Sequence, residues 1–170
     1  SRAFYDARIE RTVGGFEYNR GLTEVIFGEE VKSLPEYLLY YCRSIDSLEF
    51  PQSLNNIERY ALHNTGWYEY SAGKMLYVNK IAYCYKGEKI DIEEKDFRPG
   101  TEGISPYCFY GNDSLQSIKI PSSILWIGHA AFSNCDKLRN IAFPYDLEWI
   151  GSEAFRGCDN LEHVKFNTII

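Results

Sequence analysis

Hydrophobic residues recur along this chain with a period of 23. The recurrence is cleanest in the last third, where Ile104, Ile127 and Ile150 head three successive copies of one pattern. Sliding the chain by that period superposes Phe109, Phe132 and Phe155, then Leu115, Leu138 and Leu161, then Ile118, Ile141 and Val164, then Ile120, Phe143 and Phe166. Upstream, Leu34 and Ile57 keep the spacing, with Leu39 and Leu62 in the phenylalanine slot, and an earlier copy carries Phe16, Leu22, Val25, Phe27 and Val31. A fixed period of this length is the mark of a solenoid, in which each repeat buries its apolar face against its neighbours.

Within a copy, Leu115-Gln116-Ser117-Ile118-Lys119-Ile120 alternates with period 2, which predicts a short strand buried on one face. Proline at 51, 121 and 144 closes that strand, because it fixes φ and cannot donate a ladder hydrogen bond. Apolar anchors at Ile124, Ile127, Ala131 and Phe132 then leave room for a short extended or 3-10 segment rather than a long helix. Eight residues after each head stand Asn19, Cys42, Thr65, Asn112, Cys135 and Cys158, small polar side chains suited to partnering buried loop backbone.

The period breaks between Ile57 and Ile104. Residues 67–92 read as an insertion that holds a hairpin of Met75 to Val78 and Ile81 to Tyr85 turned at Asn79-Lys80. A solenoid strand is expected to resume at Ile90-Asp91-Ile92. The expected organisation is one domain over residues 1–170, with coils beginning near residues 11, 34, 57, 104, 127 and 150.

The pattern Ile127-Gly128-x-x-Ala131-Phe132-x-x-Cys135-x-x-Leu138-x-x-Ile141-x-Phe143-Pro144 resembles the BspA-type, Treponema-like leucine-rich repeats. The insertion, with Trp67-Tyr68, Leu76-Tyr77-Val78 and Tyr83-Cys84-Tyr85-Lys86-Gly87, is similar to one in such proteins from gut Bacteroidetes. The chain departs from the pattern at Arg11 and Leu34-Pro35, where the isoleucine-glycine start is lost. The resemblance implies a leucine-rich-repeat solenoid, mostly β with short 3-10 or irregular convex segments. It also implies a secreted or surface-attached protein, since members of the family are so placed and some adhere to host proteins.

Net charge narrows the partners. At -6 over 170 residues, with no basic run, the chain lacks the clustered cations that phosphate neutralisation requires, which argues against nucleic acid. No stretch reaches the roughly 20 apolar residues of a membrane helix, so no membrane insertion by this chain is expected. Five cysteines occupy structural slots and are expected to be free, buried thiols. His63, His129 and His163 fall at three different template positions, so no metal centre or cofactor is implied. Gly14-Gly15 and Gly21 lack the lysine and strand-to-helix context of a phosphate loop, and no catalytic constellation emerges. A non-enzyme is expected.

Binding is the better expectation, at a continuous parallel sheet with one strand from every coil. Its outward slots hold Glu24, Asp46 and Glu49 on the first strands and Gln116, Lys119, Arg139, Asn140, Glu162, His163 and Lys165 on the last three. This polarised array suits an elongated protein ligand, such as a host extracellular protein. Two alternatives stay open. Trp126 and Trp149 occupy equivalent slots one period apart, where they are expected to stack and to offer an aromatic shelf to a glycan. A structural spacer of a longer surface protein is the other, since Ile170 stops at the slot of Ile124 and Leu147, partway through a coil.

Overall fold

A computed structural model describes the backbone of residues 2–5 and all of residues 15–167. Arg11, expected to head the first coil, and Ile170 lie outside the described residues. The chain divides into two compact units, Ser1–Gly73 and Lys74–Ile170.

The first unit contains β1 (Arg2–Tyr5), β2 (Glu24–Phe27), β3 (Ser33–Leu34), β4 (Ser47–Glu49), β5 (Asn56–Ile57) and the single-turn helix α1 (Gly66–Tyr70). Its longer strands form one parallel sheet in the order β1-β2-β4, and β3 pairs in parallel with β5. β1 pairs Ala3 with Val25, a strand that periodicity does not reveal because only four residues carry it. Thr65 caps α1 by accepting from the Tyr68 N–H, which fixes the helix at the entrance of the expected insertion.

The second unit contains β6 (Met75–Val78), β7 (Ile81–Tyr85), β8 (Asp91–Ile92), a 3-10 turn at Glu94–Asp96, β9 (Gly103–Ile104), β10 (Ser117–Lys119), β11 (Trp126–Ile127), β12 (Asn140–Phe143), β13 (Trp149–Ile150) and β14 (His163–Phe166). One sheet runs β8-β10-β12-β14, all parallel. The other runs β6-β7-β9-β11-β13, antiparallel only at the β6–β7 hairpin. The hairpin falls on the expected residues. β7 also pairs in parallel with β9, Ala82 opposite Ile104, so coil register is regained at Ile81, inside the stretch read as an insertion. The periodicity hid this because the coil is irregular: Ile92 pairs with Ile118, 26 residues on, rather than 23.

The core columns are buried through the coils headed by Ile104 and Ile127, and they open at the last coil, where Ile150 and Leu161 are half-buried and Val164 and Phe166 on β14 are exposed. Phe109 and Phe132 are fully enclosed and their rings stack at 4.7 Å, while Phe155 is half-buried and stacks on Phe132 at 5.2 Å. The glycine after the coil head has a steric cause. A Cβ on Gly128 would come within 2.4 Å of the Pro106 nitrogen, so coils can stack at this distance only if that residue lacks a side chain.

The tight corners repeat as well. Tyr37, Tyr60, Tyr107, Ala130 and Glu153 all have φ between 50° and 60°, three residues after a coil head. Tyr18, Tyr41, Asn64, Gly111, Asn134 and Gly157 form a second left-handed column, seven residues after it. Two left-handed residues per coil bend the chain without a helix, which explains how 23 residues close a turn.

The polar column acts as expected. Asn112 Oδ1 accepts from the Ser114 and Leu115 N–H groups, and its Nδ2 donates to the Gly87 carbonyl. Where cysteine takes the slot, the Cys135 thiol donates to the Phe109 carbonyl at 3.1 Å and the Cys158 thiol to the Phe132 carbonyl at 3.0 Å. Asparagine and cysteine thus solve one problem, a buried backbone group that needs a partner. All five cysteines are free and buried.

Candidate functional site

Parallel pairing turns each outward slot into a row across neighbouring strands. In the first unit Glu24 lies opposite Ser47, and Ile26 opposite Glu49. Glu24 is half-buried, whereas Asp46 and Glu49 are exposed. In the second unit two rows cross three strands: Ser117, Asn140 and His163 form one, and Lys119, Ala142 and Lys165 the other. Arg139 and Glu162 precede their strands, joined by the bond from the Glu162 N–H to the Arg139 carbonyl, and Gln116 accepts from the Arg139 N–H in turn. Strand pairing thus gathers the array into two ladders, β1-β2-β4 in the first unit and β8-β10-β12-β14 in the second.

One difference from expectation concerns charge. Lys119 makes an ion pair with Glu93 at 2.8 Å, and Ser117 hydrogen-bonds to Asp91. The Glu93 carboxylate holds Lys119 protonated above the usual lysine range. Asp91 and Glu93 thus belong to the face, and the second unit is less cationic than Lys119, Arg139 and Lys165 alone suggest. The signal was present in the chain. Once Ile92 is an inward strand residue, Asp91 and Glu93 must point outward by the alternation of side chains. Asp96 faces elsewhere: it caps the 3-10 turn, its carboxylate accepting from the Glu93 N–H and from Lys89, which lowers its pKa.

The outward surface of β10, β12 and β14 forms a groove of about 500 Å³, which gathers Lys119, Asn140, Glu162, His163 and Lys165 with Ser117 and Ala142. His163 Nδ1 lies 4.0 Å from Glu162. Arg139 lies just outside this lining.

Trp126 and Trp149 pair in register on β11 and β13, as their spacing requires. Their rings are placed differently. The Trp126 indole covers Gly103, where a Cβ would meet it at 2.0 Å, and is half-buried; Trp149 is 53% exposed. Among the described residues no ring contact joins the two, so the stacked shelf does not form. The missing side chain at Gly103 draws the first indole across the coil below it.

Reactive groups are scarce. Burial pushes the Cys108 thiol well above its ordinary range, and the neighbouring Cys158 thiol, together with burial, raises Cys135. Such thiols stay protonated and inert. His129 bridges Ser152 at 2.8 Å and Tyr107 at 3.1 Å, one coil to either side, as a clasp between coils. Among the described residues no cluster of His, Cys, Asp and Glu could hold a metal ion.

With the coils, their polar column and their corners in place, the comparison with known proteins decides the family. The model of the BspA type leucine rich repeat region matches residues 10–95 and 79–170, with six copies. The chain belongs to that family. Among solved structures it resembles a leucine-rich repeat protein from Eubacterium ventriosum, with a TM-score of 0.53 at 19% identity over 90% of this chain. This chain spans 56% of that protein's length. A leucine rich repeat protein of T. pallidum follows at 0.41 and 17%, covering 94% of this chain and 77% of that one. A leucine rich cell surface protein from Faecalibacterium prausnitzii gives 0.37 and 16%, covering 91% and 62%. No curated protein matches. BspA-type repeats are mostly β solenoids, typically non-enzymatic, and leucine-rich repeats generally serve protein interaction. Among the described residues no helix is long and apolar enough to cross a membrane.

Proposed function

We propose that this chain is a non-catalytic binding module of a secreted or surface-attached protein, and that it recognises a protein partner on the strand face of its second unit. The observation that carries this reading is the groove across β10, β12 and β14, which the outward side chains Lys119, Asn140, His163 and Lys165 line together with Ala142 and the apolar residues Ile118, Ile141 and Val164. Short parallel strands hold these side chains on rigid backbone, so a partner would meet a preorganised surface. Exposed charge of both signs favours orientation and encounter rate, and less so raw affinity.

The test is a pull-down with immobilised extracellular host proteins alongside a glycan array, using the wild type and the triple variant Lys119→Glu, Arg139→Glu, Lys165→Glu. A protein partner retained by the wild type and lost by the triple variant, with binding that weakens as salt rises, is the expected result. Glycan binding that survives the triple variant and falls with Trp149→Ala would move the site to the tryptophans. Binding to neither class would leave the spacer reading.

A further inference from the structure

The row Lys119, Ala142, Lys165 differs from its neighbours in having its smallest side chain at the centre. Adjacent strands lie about 4.8 Å apart, so the two lysine Cα atoms stand roughly 10 Å from each other across the alanine methyl. Lysine stems are long and flexible, and both ammonium groups can swing over that methyl from opposite sides. Two residues back on the same strands, Ser117, Asn140 and His163 form a parallel row of hydrogen-bonding side chains. All six line the groove. We propose that Ala142 floors a carboxylate-binding notch, flanked by Lys119 and Lys165, that anchors an acidic side chain of an extended segment in the partner. This rests on the protein-binding reading above and names the chemistry of its ligand.

Three observations fix the occupant. The first is charge: Lys165 is exposed with no ion-pair partner among the described residues, and Lys119 is shared with Glu93 through an exposed bridge, the kind that yields readily to a competing carboxylate. With Arg139 nearby, three cations share the face with Asp91, Glu93 and Glu162, so its charge balances overall and Lys165 is the cation beside Ala142 that no ion pair holds among the described residues. The second is that the groove lining holds no Phe, Tyr or Trp, so a sugar ring would find no broad aromatic face to stack on, only the small His163 imidazole. The third is the spacing of the rows. They lie two residues apart along each strand, a separation of about 6.8 Å, which equals the distance between alternate side chains of an extended peptide. A ligand with an acidic residue in the notch would place a neighbouring polar side chain, two positions away, over Asn140 and His163. The first unit has no such notch, because Ile26 and Glu49 occupy the row there.

The test is fluorescence anisotropy with the whole chain and three labelled probes: a peptide repeating Glu-Gly-Ser-Gly, which sets a Ser two positions from each Glu, its Gln counterpart, and an oligogalacturonate. The variants are Lys165→Gln, Lys119→Gln and Ala142→Trp. The acidic peptide should bind and the Gln peptide should not. Lys165→Gln should weaken binding about tenfold, the loss of one charge-assisted contact, and Ala142→Trp should abolish it by filling the notch while every charge remains. Lys165→Gln alters only an exposed side chain, so it keeps the question open to an answer even if Ala142→Trp fails to fold. Failure of the acidic peptide to bind, affinity unchanged in folded Lys165→Gln and Lys119→Gln, or preference for oligogalacturonate would each overturn the notch. A protein partner whose capture needs Arg139 and ignores Ala142→Trp and Lys165→Gln would overturn the notch and leave the broader reading standing. A partner indifferent to every strand-face variant would sink both.

Discussion

The two units use one template and put their aromatic rings in different places. In the second, Phe109, Phe132 and Phe155 stack face to face in the coil interior. In the first, leucines take that slot at positions 39 and 62, Phe27 and Phe50 stack at the strand ends at 5.6 Å, and, compared with the Tyr107–Tyr110 pair of the second unit, a larger cluster of rings stands at the corners. There Tyr18 stacks on Tyr41 at 5.3 Å, Tyr40 on Tyr60 at 6.0 Å, and Tyr37 meets both Tyr40 and Tyr60 edge-on. Arg43 and Arg59 lie over the rings of Tyr41 and Tyr60. The difference shows what the repeat demands. A coil needs apolar volume at the interior slot and a residue that accepts left-handed backbone at the corner, and aromatic character is free to go to either.

If interior stacking carries the second unit, Phe132→Ala should be among its most damaging substitutions, costing on the order of 3 to 5 kcal/mol in urea unfolding, because an enclosed ring leaves a cavity between two others. Phe132→Leu, which copies the first unit's choice, should cost only about 1 kcal/mol. Equal losses for the two would mean that the stack geometry, and not the volume, is what matters.

The next contrast lies in the polar column. Asn112 serves backbone on two coils, so Asn112→Ala should cost roughly 2 to 3 kcal/mol, the penalty of several half-buried groups left without partners. Asn19 makes only the local bonds to Gly21 and Leu22 at an exposed turn, and Asn19→Ala should cost about 1 kcal/mol. Thermal unfolding of the pair checks the ratio. A Cys135→Ser variant belongs in the same series, since a hydroxyl can still donate to the Phe109 carbonyl whereas alanine cannot.

Much of this was legible before any coordinates. The columns, the proline corners, the hairpin at Met75–Val78 and Ile81–Tyr85, and the role of the Asn and Cys ladder all follow from period and residue type, because a repeat poses the same packing problem each time. What resisted were departures from the period. β1 is too short to show alternation, and the coil after Ile81 redistributes its residues between corners, so that Ile92 reaches its partner at an interval no sliding comparison would test. The same irregularity hid the Lys119–Glu93 pair: side-chain direction could be read locally, but which strand stood next to β10 could not. Trp126 and Trp149 teach a related point. Spacing placed their backbones opposite each other, while the empty site at Gly103 decided where one indole went.

The corner tyrosines should be less critical than the interior rings. Tyr40 contacts Tyr18, Tyr37, Tyr41 and Tyr60, and burial together with those neighbouring hydroxyls raises its pKa. Half-buried ring pairs are worth about 0.5 to 1.5 kcal/mol beyond their area, and shared contacts do not add. Tyr40→Leu should therefore cost about 1 to 2 kcal/mol in thermal unfolding. A loss as large as that of Phe132→Ala would erase the distinction between corner and core.

The smallest effect separates the two units by pH. The first unit closes the corner after β4 with Ser53, whose hydroxyl donates to the Glu29 and Val31 carbonyls and does not titrate near neutrality. The second closes the corner after β8 with Asp96, whose pKa is lowered first by Lys89 and then by the Glu93 N–H. A carboxyl with a depressed folded pKa binds its proton less readily folded than unfolded, so its stabilisation is fully present above the unfolded value of about 3.9 and disappears as pH falls through the folded one. Asp96→Asn should thus cost roughly 1 kcal/mol at pH 7, and the gap to wild type should close on acidification from pH 5 towards 2. Ser53→Ala should show a similar cost with no such closure, since its bonds run to backbone carbonyls. Urea midpoints of the three proteins across that range decide the matter. Parallel pH profiles for Asp96→Asn and wild type would mean that the Lys89 bridge contributes nothing, and that both corners hold by backbone geometry alone.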